Sequence, residues 1–374
     1  MIGTNDTDEF TAGGDSPVDR RTFLRAVGLG SLAAGTGATG LLDEVIARPV
    51  RPRIAPLHTT VRHWAWTRVT ADQTTDRTKE QFAELRDAGV EGILLGGGDA
   101  ETHALAHAAG LQTHAWMWTV CRRDQVLMDE HADWYAVSRE GKSTHEHPPY
   151  VPYYRFLCPT RPEVRSYLAE RVAELAAAPG LAGVHLDYVR YPDVILPRSL
   201  WEKYDLVQNE ELPPFDFCYC ETCRAQFEDL TGKDPLELPD PPADAAWRQF
   251  RWNTVTRLVN ELVEVVHAHS KQITAAVFPS PTVARKLVRQ NWPQWQLDAV
   301  LPMVYHNFYN EPISWIEQAV AEGVISLPPD RPLYAGLYLP SLKTEAEFNE
   351  AVECALRGGA SGVALFGGVR KIPG

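Results

Sequence analysis

The sequence predicts a (β/α)8 TIM barrel with a small lobe inserted after its fourth strand. Three observations carry that prediction. Eight short apolar runs recur along the chain, each long enough for one strand. Amphipathic, helix-like stretches alternate with them. The segment after the first run, "TRVTADQTT", holds no glycine, whereas a doubly wound nucleotide-binding sheet usually places a glycine-rich phosphate turn there. Eight strand–helix units in about 320 residues suit a barrel of this kind.

The runs, in order, are 60–66, 91–97, 111–118, 183–189, 273–278, 299–305, 332–339 and 361–368. Between them, "TKEQFAELRDAG" and "TEAEFNEAVECALRGG" each end in glycine, a helix stop signal. "TRPEVRSYLAERVAELAAA" opens with Thr160 and Glu163 at capping-box spacing and Pro162 early in the helix. "PDPPADAA" (239–246) reads as a linker that closes the inserted lobe, 191–245. The barrel as a whole is expected over 58–374.

Residues 1–50 are read separately. Arg20-Arg21 followed by Phe23-Leu24 and an uncharged Gly/Ala/Leu run resemble a twin-arginine export signal. The run is too weakly hydrophobic for a permanent span. The expectation is export to the cell envelope or the medium, with the twin-arginine translocase as a transient partner. The formal net charge of −13 argues against nucleic acid, which calls for a basic face. Eleven Trp and thirteen Tyr suggest instead a carbohydrate partner, because sugars stack on such flat faces.

Barrel sites lie at the C-terminal ends of the strands. On the third strand His114, Trp116 and Trp118 share one face by period-two alternation. On the fourth, His185 and Asp187 do the same, followed by Arg190. Tyr305 and His306 end the sixth. Trp66, Trp116 and Trp118 are expected as sugar platforms, with His185, Arg190, Tyr305 and His306 as further substrate contacts. Asp187 interrupts an apolar strand, and a carboxylate there must be paired or functional. It is read as a catalytic carboxylate, with a buried Asp187–Arg190 pair as the structural alternative. Glycosidases use two carboxyl groups. Asp99, Asp193 and Glu311 are the candidates for the proton donor, and Glu311, beyond the sixth strand, is preferred. A barrel that binds sugar without cleaving it is the competing function.

"GVHLDYVRYP", "FLCPTRPEVR" and "LPMVYHNFY" resemble the glycoside-hydrolase-like family 10 proteins. That resemblance covers the chain from about residue 60 onward and implies a secreted glycosidase with a barrel fold. The cysteines carry a second resemblance. Cys158-Pro159 before the fourth strand and "CYCETC" after it are similar to the metal site of glycoside hydrolase family 42 β-galactosidases. Four thiolates, from Cys158, Cys218, Cys220 and Cys223, suit a closed, structural zinc site. The family 42 catalytic pair does not carry over, because Asp187-Tyr188 stands where that family has Asn-Glu. Cys354 is expected in the core, and Cys121 in the core or at the rim.

Overall fold

The computed structural model describes residues 61–373. The export signal expected over 1–50 lies outside them. Among the described residues no helix is long and apolar enough to cross a membrane.

The chain runs β1 (Trp64–Arg68), α1 (Thr75–Asp87), β2 (Gly92–Gly96), α2 (Ala100–Ala108), β3 (Gln112–Trp118), α3 (Gln125–Glu130), α4 (Pro162–Ala177) and β4 (Gly183–Asp187). It continues through α5 (Glu221–Thr231), α6 (Ala245–Ala268), β5 (Gln272–Val277), α7 (Pro281–Val288), β6 (Ala299–Pro302), α8 (Trp315–Ser326), β7 (Tyr334–Tyr338), α9 (Glu345–Arg357) and β8 (Gly362–Phe366). All eight expected runs hold a strand. Neighbouring strands pair in parallel in the order β6-β5-β4-β3-β2-β1-β8-β7. Two parallel bridges, Val300 with Leu333 and Met303 with Gly336, draw the ends β6 and β7 together. Pro302 has no N–H to add to that seam. The result is a nearly closed (β/α)8 barrel.

Strand alternation sorts the side chains into two apolar layers. Ala65, Ile93, Met117, Val184, Leu186 and Ala275 face the helices. Trp64, Trp66, Leu94, Ala276, Leu301 and Tyr334 fill the interior. Large interior rings need small neighbours. A Cβ on Gly92 would lie 2.5 Å from the Trp64 ring, and one on Gly183 2.7 Å from His114 Nε2 and 2.4 Å from the Gln272 carbonyl oxygen. Gly183→Ala is therefore expected to cost about 1–3 kcal/mol through overpacking, read as a lower midpoint in thermal or urea unfolding. An unchanged midpoint would show that this layer can relax.

Helix ends follow local chemistry, with one correction. Thr344 and Glu347 form a reciprocal capping box on α9. Thr160 does not cap α4. Arg161 holds that position, with Pro162 in the first turn. The Thr160 side chain is buried and lies 3.1 Å from Cys223 Sγ, so a packed thiol has claimed the hydroxyl that the spacing assigned to the helix. Gly89 and Gly359, just past α1 and α9, take the left-handed backbone that glycine adopts at no cost.

The segment between β4 and α6 contains α5 and several short turns. A buried charge network ties it to the barrel. Asp216 pairs with Arg251 of α6, lies 3.8 Å from Arg289 after α7, and accepts a 2.6 Å bond from the Tyr219 hydroxyl. Arg289 also pairs with Glu211. Burial pushes the Asp216 carboxyl up, but the two guanidinium groups outweigh it and hold it below the usual range. Asp216 immediately precedes Phe217-Cys218, so this network sets where the cysteine cluster sits.

Candidate active site

Asp187 ends β4 at the mouth of the barrel and is partly exposed. Both carboxylate oxygens are held. The Trp116 indole N–H donates to Oδ2 at 3.0 Å, and the Tyr188 backbone N–H donates to Oδ1 at 2.7 Å. Tyr188 itself sits in the left-handed region, φ 50°, a conformation costly for a residue with a bulky side chain. Burial raises the Asp187 pKa above the ordinary carboxylate value. The two N–H donors, Arg190 and Arg68 pull the other way without cancelling the rise.

Aromatic rings surround this group. Tyr305, beyond β6, lies parallel to Phe366 at 5.9 Å and 5.5 Å from Tyr338. Phe366 meets Trp116 edge-on at 6.5 Å. Trp118 packs on Tyr188 at 4.7 Å and Tyr153 at 5.8 Å. Trp116, Trp118, Tyr305 and His306 are all partly exposed at the strand ends. One face of Trp116 is covered, because the Arg68 guanidinium sits 4.5 Å from its ring centre.

Three expected substrate contacts lie elsewhere. Trp66 is only 7% exposed and is part of the interior layer. His185 is fully buried. Trp66 donates its indole N–H to His185 Nε2 at 3.0 Å. An indole can only donate, so the His185 proton sits on Nδ1 and is given to Thr274 Oγ1 at 2.9 Å. The Thr274 hydroxyl then serves His114 Nδ1 at 3.2 Å, and His114 Nε2–H faces Gln272 Oε1 at 3.1 Å. Burial keeps both imidazoles neutral, with His114 lowered to about 4 and His185 held well below its ordinary value. The chain braces the barrel interior. Alternation had identified the inward face correctly, but not the depth of each side chain along it.

Arg190 is the third. It is buried, donates to Asp193 Oδ2 at 2.9 Å, and lies about 5 to 6 Å from the rings of Tyr154, Phe156, Tyr188 and Phe278. Its ion-pair partner is therefore Asp193, not Asp187. That pairing commits Asp193 to structure. Asp99 is committed too, since its Oδ1 accepts the Thr102 N–H and hydroxyl, both at 2.9 Å, to cap α2. Glu311 lies on the loop beyond β6, its backbone N–H bonded to the His306 carbonyl at 3.1 Å.

The four expected cysteines converge. Cys158, Cys218, Cys220 and Cys223 are buried, and their sulfurs all lie within 4.8 Å of one another. Cys158 is 3.5 Å from Cys223 and 3.6 Å from Cys220, too far for disulfides. Four sulfurs about 2.3 Å from one zinc ion would stand about 3.8 Å apart, so the set fits a tetrahedral metal. Burial pushes the Cys218 and Cys223 thiols up, while bonds from Cys158, Cys218 and Cys223 hold Cys220 down. Four thiolates this close together need a positive ion between them. The Val137 N–H donates to Cys218 Sγ at 3.3 Å, the kind of outer contact that orients a ligand. Cys121 and Cys354 are also buried and unpaired by disulfide.

Residues 103–324, more than half of the chain, match the family model described as "Putative glycosyl hydrolase domain". The chain belongs to this glycosyl hydrolase family. No curated protein matches it in sequence. Solved structures share its fold. The glycoside hydrolase domain of PgaB (BpsB) from Bordetella bronchiseptica superposes with TM-score 0.57 at 15% identity, covering 82% of this chain and 94% of that one. A β-galactosidase from the Antarctic haloarchaeon Halorubrum lacusprofundi gives 0.58 at 13% identity, over 82% of this chain and 52% of that one. The catalytic domain of a β-amylase from Paenibacillus polymyxa gives 0.53 at 12% identity, over 81% of this chain and 91% of that one. The chain thus spans about half of the β-galactosidase. Identities this low establish a common fold only.

As a glycosyl hydrolase domain, the chain carries a carboxylate and an aromatic rim where the barrel fold places its sites. Sequence reading assigned no role to Arg68. Its one signal was its position, two residues beyond Trp66 at the end of β1. Thr274 and Gln272 gave no signal, because an uncharged polar residue in a strand is unremarkable until its partner is known.

Proposed function

We propose that this protein is an exported glycoside hydrolase acting on an oligo- or polysaccharide, with Asp187 as its catalytic carboxylate. The observation that carries the reading is the Asp187 carboxyl itself. It stands at the C-terminal end of β4 with each oxygen oriented by an N–H donor. The Trp116 and Tyr188 donors leave the carboxylate one fixed orientation toward the mouth, as attack on an anomeric carbon or activation of a water requires. Glu311 is the proton donor in this reading, supported by its place on the loop after β6. Partly exposed Trp118 and Tyr305 would contact sugar rings, and His306 a hydroxyl. Export rests on the twin-arginine pattern, and the resemblance to family 10 supports a secreted glycosidase.

The cysteine cluster is proposed as a structural zinc site. Cys158, Cys218, Cys220 and Cys223 would hold the ion as thiolates, leaving no position open for water or substrate. The ion would supply cross-linking charge only. It would tie the segment before β4 to the loop after it, and these two segments flank Asp187.

Release of reducing ends from a polysaccharide panel by purified protein tests the function, with Asp187→Asn as the control. Activity in the wild type that is unchanged in the variant would remove Asp187 from the mechanism. No activity on any polymer, with sugar binding retained, would favour the non-catalytic barrel.

The pH profile offers a separate check. A nucleophile or base must be ionised, so activity should rise with pH through the raised Asp187 pKa. The Trp116 N–H stabilises the ionised form. Trp116→Phe should therefore move the rising limb to higher pH, and a limb that stays in place or moves down would contradict this role for the bond.

A further inference from the structure

We propose that the cavity at the ends of β1, β2 and β3, lined by the Trp116 whose indole bonds Asp187, is a subsite for an anionic sugar, carboxylated or sulfated, with Arg68 as its receptor. The inference rests on the reading of Asp187 as the reacting centre and adds the class of substrate.

A cavity of about 410 Å³ opens along the ends of β1, β2 and β3, large enough for a sugar unit. Its lining includes Arg68, Arg122, Arg123 and Arg171, with Glu174 as the only acid. In a chain of net charge −13, four arginines around one cavity form a strong local reversal of sign. Arg122 is paired with Asp124 at 2.8 Å, and Arg171 with Glu174. The Arg68 guanidinium makes no ion pair or hydrogen bond among the described residues, its backbone carbonyl alone accepting from Gln81. Its guanidinium carbon lies over Trp116, 4.5 Å from the ring centre, and 6.0 Å from that of Trp118.

The stack is built into the backbone. Gly96 lies beneath it, and a Cβ there would come within 3.0 Å of Arg68 Cγ and 3.2 Å of the Trp116 ring. Ring stacking fixes the guanidinium while leaving its N–H edge to bind a planar oxyanion in bidentate fashion. A neutral sugar would meet a cation where it needs a bare aromatic face. The same indole that supports Arg68 donates its N–H to Asp187 at 3.0 Å. One ring thus joins the anion receptor to the carboxylate, and a sugar held through its acid group would lie next to the reacting centre.

Binding rather than turnover provides the test. Calorimetry on Asp187→Asn would use oligogalacturonate, hyaluronan and chondroitin sulfate oligosaccharides, with methyl-esterified oligogalacturonate and cello-oligosaccharides as neutral controls. At least one anionic ligand should bind, and adding Arg68→Gln should weaken it tenfold or more. The neutral controls should bind weakly whether or not Arg68 is present. Preference among the anionic ligands separates carboxylate from sulfate. Equal affinity for neutral ligands, unchanged affinity in Arg68→Gln, or no anionic binding would each overturn the inference. An anionic oligosaccharide bound through Arg68 yet left intact by the wild type would support this subsite and defeat the hydrolytic reading. Cleavage of neutral polymers alone would do the reverse.

Discussion

Asp187→Asn is expected to reduce hydrolysis by about 1000-fold or more, equivalent to about 4 kcal/mol of transition-state stabilisation. The change keeps the size of the side chain and one acceptor for the Trp116 and Tyr188 donors, so the fold should survive. What disappears is the negative charge that would develop a bond to the anomeric carbon or take a proton from water. The effect should fall on kcat more than on KM, because Asp187 acts in the transition state and the aromatic rim bears the ground-state contacts. Glu311→Gln gives the second half of the experiment. A proton donor matters most for substrates with poor leaving groups, so this variant should lose far less activity on an activated aryl glycoside than on a natural linkage. An equal loss on both would remove Glu311 from that role. The product anomer then separates retention from inversion.

Cys158→Ser should be the most damaging substitution for stability. Cys158 lies just before α4, whereas Cys218, Cys220 and Cys223 come from the far side of β4. It is the one thiol that joins the two segments. Structural zinc sites are worth about 10–16 kcal/mol in small peptides. A barrel with its own apolar core should not need all of this, so a loss of several kcal/mol is the expected scale. Metal analysis of wild type purified before export should give close to one zinc per chain, and Cys158→Ser well below half. A strong chelator should lower the unfolding temperature of wild type and leave the variant unchanged. Wild type with full stability and no bound metal would overturn the site. The charge network of Asp216, Arg251 and Arg289 should hold the lobe near its place even in the variant, since it draws on α6 and the end of α7 rather than on the metal.

Among the candidate site residues, placement and role proved separable. Asp187 could be singled out early because a charge in an apolar strand has few explanations. The cysteines could be grouped because four thiols at matching positions have few explanations either. His185, Trp66 and Arg190 shared the same local signals as true rim residues. Each is a polar or aromatic side chain near a strand end, and nothing local distinguishes a ring that points toward solvent from one a layer deeper. Thr160 shows the same ambiguity on a smaller scale. Its spacing to Glu163 fitted a cap, but Cys223, distant in sequence, lies against its hydroxyl.

The barrel, the shared faces of its third and fourth strands and the four thiols that would meet were all legible in the chain. These follow from period, composition and spacing, which are local properties of the chain. How deep each inward side chain lies, and which charge is paired with which, depended on the assembled fold. It turned Arg190 away from Asp187 to Asp193, buried His185 in a neutral chain of hydrogen bonds, and laid Arg68 on Trp116. Burial and pairing depend on groups brought together from separate strands. Those contacts set the cost of every charge, so the role of a polar residue emerges only when its neighbours are in place.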